Sequence, residues 1–455
     1  MAGTAQANNL TIGSLWENIW RISWPMFLMM VFAFLVGFAD VYVAGFIGPE
    51  VQAAVGFVSQ IYFLITIIAN AIGMGSLALI ARAIGSGDHR KAIETARQSL
   101  LFSILVAAAI TLVCLAYYRE IISFAGFPPA TKEIAEKFLR IFALSLGPNY
   151  VLIISNAVFR ASGDVKKPLF TMFLVSIVNI AGDFALVFGL FPFPEMGYTG
   201  IAVSTAVSVT AGMVVNLCLF TVGWWRSFFG GPWRISGEVL GRIIRIGWPA
   251  AMLQIAWNAG TLVLYNILGR LGPASITAMA AITDGLRIEA VIYLPAFALN
   301  MAASVLVGQN LGAGNAGRAE KAGWKIARAG VFIVSLAAVV IFIWAERFAS
   351  LVAKSPDVLE ETARYLRFNM VSEPFMALGS ILGGGLQGAG DTRGTMWIIV
   401  IAMWLIRLPL AYTFSLVLDY GATGVWSAMI LSMAIQGTLL AVRFNRGHWK
   451  KISVE

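Results

Sequence analysis

The sequence has 455 residues, of which 59% are hydrophobic and only 12% charged, half the roughly 25% charged share of a soluble domain. So little polar surface excludes a water-solvated globular fold over this length and places most of the chain in lipid. The net charge of +9 sits in short loops beside apolar runs, where positive-inside bias explains it and nucleic-acid binding is not implied.

In chain order, the opening stretch MAGTAQANNLTIGSLWENIW has no basic n-region and runs into a long apolar segment, so the first helix is expected to be retained. A hydrocarbon core needs about 20 mostly apolar residues as a helix. That criterion predicts twelve spans, near 17–44, 52–82, 94–117, 134–159, 168–191, 199–224, 239–269, 276–309, 322–344, 362–387, 395–417 and 422–443. Spans of this length argue for helices rather than barrel strands of about 10 residues. Cys114 and Cys218 each fall inside an apolar run, and His89 and His448 in basic loops. No metal site or disulfide framework is predicted.

Alternate loops separate the charges. One set, with both ends, holds Arg82, Arg90, Lys91, Arg160, Lys166, Lys167, Arg226, Arg234, Arg318, Lys321, Arg443, Lys450 and Lys451, while the other mixes a few cations with Glu120, Glu133, Glu136, Glu360 and Glu361. Orientation follows Lys/Arg bias, so both termini are expected in the cytoplasm of a prokaryotic-type inner (plasma) membrane.

The two halves repeat. RISWP (21–25) meets RIGWP (245–249), and Gly45 with Gly48-Pro49 meets Gly269 with Gly272-Pro273, at an offset of 224. ARAIGSGD (81–88) meets GQNLGAGN (308–315), and RASGD (160–164) meets QGAGD (387–391), at 227. GYTGIAVSTAVS (197–208) meets GATGVWSAMILS (421–432) at 224 again. This ordering predicts an N-lobe (1–225, six spans), a cytoplasmic linker (226–238) and a C-lobe (239–455, six spans and a tail). Six spans per half make the repeats parallel, an arrangement that suits alternating access around a midplane site.

Two six-helix halves, the Trp-Pro start of spans one and seven, the Gly-x-Gly-Asp/Asn turn after spans two and eight, and the Gly-Asp turn after spans four and ten resemble the multidrug and toxic compound extrusion (MATE) transporters. That resemblance covers nearly the whole chain. It implies a V-shaped, all-α fold of twelve transmembrane helices in two pseudo-symmetric lobes, and efflux of amphipathic cationic compounds in exchange for protons or sodium. The NorM-like branch carries its cation on acids of spans seven and ten, where this chain has Trp257-Asn258 and an apolar stretch near Met376, with Glu373 about one turn away. The DinF-like branch relies on acids of spans one and five, where this chain has Asp40 and Asp183, so the chain looks DinF-like.

An ionisable group near the bilayer centre needs a partner, a wet cavity or a neutral form. Asp40 lies in FLVGFADVYVAGFIG and Asp183 in VNIAGDFALVFG, with Asn179 four residues earlier on the same helical face. The repeat pairs Asp40 with Leu264, Asn179 with Ile406 and Asp183 with Leu410. A scaffold requirement would appear in both halves, so the asymmetry reads as function. Desolvation disfavours a charged carboxyl, and two close carboxyls do not readily ionise together. Asp40 and Asp183 are therefore expected to form a coupled proton site, with Asn179 and, by its match to the family's polar position, Thr205. Sodium is the competing ion, since the same oxygens are hard ligands; no other cofactor is expected.

In the second half, Asp284, Arg287 and Glu289 form a cluster in which Asp284 and Arg287 have ion-pair spacing. Arg407 is expected to pair with Glu373 or Asp284, or to serve structure. Gln60, Tyr62, Asn156, Asn258, Asn266 and Asn300 are polar groups in apolar helices and the candidate substrate contacts, although amides also join helices. The partners expected are small organic cations or amphipathic drugs and the lipid bilayer, for a monomer. No intramembrane His and no HExxH or Ser-His arrangement supports an enzyme. A flippase for lipid-linked oligosaccharides is the alternative, and its anionic cargo would favour more than the two intramembrane arginines present. Nothing in the sequence resembles a channel filter.

Overall fold

The computed structural model describes residues 10–452, and these are almost entirely helical. Twelve long helices follow one another: α1 (Leu15–Ile47), α2 (Pro49–Gly85), α3 (His89–Ser123), α4 (Pro129–Ala161), α5 (Lys166–Phe188), α6 (Thr199–Leu219), α7 (Gly237–Gly269), α8 (Ser275–Gly312), α9 (Ala316–Ile343), α10 (Pro356–Gly388), α11 (Thr392–Val417) and α12 (Gly421–Arg446). All of them except α10 are long and apolar enough to cross a membrane. The first turns of α10 carry Asp357, Glu360, Glu361, Arg364 and Arg367, and its second half is glycine-rich around a buried Glu373. Leu112, Phe332 and Leu405, each more than two-thirds exposed, give the bundles the apolar exterior a bilayer requires.

The described residues divide into two compact units, 28–248 and 10–27 with 249–452. These differ from the expected lobes by reciprocal exchange of helix starts. Each division falls beside a proline inside the helix, Pro25 in α1 and Pro249 in α7, where the missing N–H interrupts the backbone ladder. The expected linker is not a free connection. It starts in a 3₁₀ turn, Gly223–Phe228, and Arg97 of α3 donates from Nε to the Phe228 carbonyl at 2.6 Å.

Packing repeats between the units. In the first, α2 packs on α3 and α4, and α4 and α5 pack on α6; in the second, α8 packs on α9 and α10, and α10 and α11 pack on α12. Glycine sets the matching close approaches. A Cβ on Gly200 would strike the Leu186–Val187 backbone, and one on Gly424, 224 residues later, would strike Phe414–Ser415. The Gly-Asp turns need glycine for another reason, since Gly163 and Gly390 have φ of +80° and +91°.

Gly388 of α10 faces the Ser304 carbonyl of α8, where any Cβ would collide with backbone. Gly388→Val is expected to lower stability by about 1–3 kcal/mol or more, because overpacking here cannot be relieved by a rotamer change. An unchanged melting temperature in detergent would contradict that contact.

The unit-two helix α11 departs from ideal geometry. It has π-helical segments at Ile401–Arg407 and Thr413–Val417. Its 26 residues compare with 23 for its counterpart α5.

Candidate functional site

In unit one, the second half of α1 lies along α5. The Phe32 ring is 5.4 Å from Phe173, and the Phe32 carbonyl accepts from Ser176 Oγ at 3.1 Å. Further along the same contact, Asn179 Nδ2 donates to Asp40 Oδ1 and to Thr205 Oγ1, both at 3.3 Å. Ser204 Oγ donates to the Asn179 carbonyl at 2.7 Å, in a space that a side chain on Gly182 would fill. Asp183, one turn beyond Asn179, is fully buried between Asp40 and Ser204. Asp40, Asn179, Asp183 and Thr205, from three helices, thus stand in one cluster.

Neither Asp183 oxygen accepts a bond from a protein donor among the described residues, and Asn179 Oδ1 is also without one. The Asp40 carboxyl lies beside Asp183, the group nearest to it in kind. Two carboxylates can only accept, so a bond between them requires a proton on one. Tyr62, whose hydroxyl is buried near Ser145 and within electrostatic reach of Asp40, borders the cluster. Its ring is 5.0 Å from Phe142.

The positions matched to these acids in unit two, Leu264 and Leu410, belong to an apolar core with Ile282, Tyr365 and Trp426. The charges of that unit are placed differently from the sequence grouping. Asp284 and Arg287 form a local ion pair at 3.2 Å, with the Arg287 side chain 67% exposed. Glu289 is separate and buried, accepting from Tyr293 Oη at 2.9 Å. It lies near Tyr365, Glu373 and Arg407, all buried. Arg407 is therefore near Glu289 and not paired with Asp284, whose partner is Arg287. Its Nε donates to Ser432 Oγ at 2.8 Å and its guanidinium lies 4.9 Å from the centre of the Trp257 ring. Glu289 Oε1, Glu373 Oε2 and Arg407 Nη2 have no partner within bonding distance among the described residues. Tyr365, Asn369 and Glu373 repeat at four-residue spacing along one face of α10, a stripe visible in the sequence and not used there.

Among the candidate substrate contacts, three are engaged in joining or stabilising helices. Asn156 accepts from Asn216 Nδ2 at 2.9 Å, and Asn216 also bonds Ser155 and Thr171. Asn300 Nδ2 donates to the Ser380 carbonyl at 2.6 Å, and Asn258 Nδ2 to the Gln254 carbonyl at 2.8 Å. Gln60 and Asn266 are exposed. Asn216→Leu is expected to reduce stability by about 1–2 kcal/mol, the scale of interhelical amide bonds, while leaving the spectrum of transported compounds unchanged. A shifted spectrum at unchanged stability would return Asn156 to the substrate contacts.

Twelve long helices in two repeated units, eleven of them long and apolar enough to cross a membrane, with a carboxyl pair in one unit, define a transporter architecture. The chain belongs to the MatE family, whose model matches residues 25–185 and 249–413; it is a transporter and not an enzyme. It is similar to a probable multidrug resistance protein NorM of Thermotoga maritima, at 26% identity over 96% of this chain and 94% of that one. A probable NorM of Bradyrhizobium diazoefficiens is 28% identical over 93% of this chain and 92% of its own. The fold matches an outward-facing multidrug resistance MATE transporter of the MOP superfamily with a TM-score of 0.86, at 22% identity over 97% of this chain and 98% of that chain. A MOP superfamily transporter from Pyrococcus furiosus matches equally, with a TM-score of 0.86 and 22% identity over 98% of both chains.

Proposed function

We propose that this chain is a secondary active multidrug exporter that moves organic, often cationic, compounds outward in antiport with protons, by alternating access. Its setting is the inner membrane, with both termini cytoplasmic, and it works as a monomer. The relatives named as multidrug resistance proteins support the cargo class, and the acids of α1 and α5 support a DinF-like mode of coupling.

The single observation that carries proton coupling is Asp183, fully buried with both oxygens lacking a donor, beside a second carboxyl. One proton shared with Asp40 supplies the missing bond. When it leaves, two adjacent carboxylates repel and the bonds from Asn179 are the means of rearranging α1 against α5. Protonation from outside would then weaken the hold on a cationic drug and favour its release. A bend of α1 near Pro25 or Gly37 accommodates the change.

Sodium is the second reading, favoured by one observation: Asn179 Oδ1 also lacks a donor, so three oxygens stand ready for a hard cation. The deciding experiment is ethidium uptake into everted vesicles or proteoliposomes, driven separately by a pH gradient and by a sodium gradient. Uptake driven by the pH gradient alone is expected. Uptake that requires sodium would reassign the same carboxylates as sodium ligands, and no uptake under either gradient would favour an anionic lipid-linked cargo.

A further inference from the structure

The segment between α6 and α7 has two unlike faces. Trp225 and Phe228 are buried, with Phe228 4.2 Å and Trp225 5.3 Å from the Phe220 ring. Arg97 holds this face in place through the Phe228 and Ser227 carbonyls at 2.6 and 2.8 Å, and Gln98 Oε1 accepts from the Ser236 amide at 2.9 Å. The opposite face presents Phe229, Trp233 and Ile235, which are 44%, 40% and 57% exposed. Trp233 is ordered there against Phe228 and Phe229, with ring centres 5.5 and 6.2 Å apart. A loop tied down at so many points and still presenting three large apolar side chains is built to meet an apolar surface.

Its charge specifies that surface further. Arg226 and Arg234 are exposed on this segment, as are Arg90 and Lys166 on the neighbouring loops of the same unit. Of the four acids in these loops and the helix starts that follow them, three are engaged locally. Asp88 accepts from the Lys91 amide, Asp164 pairs with Lys167, and Glu238 pairs with Arg242. Arg226 and Arg234 have no carboxylate within ion-pair distance among the described residues. Aromatic side chains favour the headgroup level of a bilayer, and cations there attract anionic lipids.

We propose that residues 222–236 form a membrane-interface anchor that binds anionic phospholipid headgroups, with Phe229, Trp233 and Ile235 at the acyl boundary and Arg226 and Arg234 on the phosphates. This rests on the chain being a membrane protein and is independent of which ion drives transport. Because Arg97 and Gln98 tie the segment to α3, the headgroups it holds fix the start of α7 relative to the membrane plane.

The test uses the full-length protein in nanodiscs, labelled with an environment-sensitive fluorophore at Ile235→Cys after Cys218→Ser removes the exposed native thiol. The expected result is a blue-shifted label, protected severalfold from aqueous iodide when phosphatidylglycerol is present and less so in zwitterionic lipid. Arg226→Gln with Arg234→Gln, or high salt, is expected to erase the difference between the two lipid mixtures. A label at Trp233→Cys provides a second position. Equal iodide quenching in both mixtures at both positions would overturn the proposal, as would a lipid difference that survives loss of both arginines.

Discussion

Asp183→Asn is expected to abolish drug uptake driven by a pH gradient while the protein still inserts and folds. Asparagine has nearly the shape of aspartate and offers a donor toward Asp40, so the buried position remains satisfied. What disappears is the exchangeable proton. Hydrogen bonds to charged groups are worth about 1.5–3 kcal/mol, and each 1.4 kcal/mol is a factor of ten. The loss of coupled rate is therefore expected to reach roughly tenfold at the least. Asp40→Asn should have the same direction and, because Asp40 is only half-buried, a smaller effect. Uptake rates in proteoliposomes under an imposed pH gradient measure both. Wild-type rates in Asp183→Asn would remove the carboxyl pair from the coupling mechanism.

The second large effect is one of stability. Arg407→Gln removes a buried guanidinium that bonds Ser432, lies against Trp257 and is near the buried Glu289. A hydrogen bond made by a charged group is worth about 1.5–3 kcal/mol, and its loss sets the scale of the effect. A steep fall in melting temperature is expected, and Glu289→Gln added to Arg407→Gln should recover part of it. Arg407→Lys keeps the charge and loses the planar guanidinium that bonds Ser432 and stacks on Trp257, so an intermediate value is expected. If Arg407→Gln melts with the wild type, the cluster is not held by Arg407. The double variant also separates the two units functionally. If it folds, uptake driven by a pH gradient should persist, since proton coupling is assigned to unit one.

The helices were legible because each but α10 is a long apolar run closed by glycine, proline or charge. The repeat was legible because matching turns impose matching glycines, such as Gly163 with Gly390. The cluster of Asp40, Asn179 and Asp183 could be read as well. Its two α5 members share one helical face, and the positions matched to the cluster in the other half, Leu264, Ile406 and Leu410, are apolar. Thr205 entered only through the family's pattern, since one threonine in an apolar helix carries no signal of its own.

The unit-two charges were harder to place. Glu289 is close in sequence to Asp284 and Arg287, but two or five residues along a helix point a side chain to another face. The i to i+5 geometry of the π segment around Arg407 has no sequence signature, and it shifts the register by which α11 would be matched to α5. Polar identity also does not reveal whether an amide waits for a ligand or already has a helix partner. Asn156 accepts from Asn216, 60 residues away in sequence. The exchanged helix starts follow from packing around Pro25 and Pro249, whereas the repeat could only divide the chain at the basic linker.

If the carboxyl pair of unit one holds a proton that a bound drug displaces, the pH of a weakly buffered solution of the purified protein must fall as ethidium is added. The wild type is predicted to release protons in proportion to ethidium bound, and Asp183→Asn to bind ethidium with no release. Binding by the wild type without proton release, or release unchanged in Asp183→Asn, would mean that the carboxyl pair does not exchange its proton for drug.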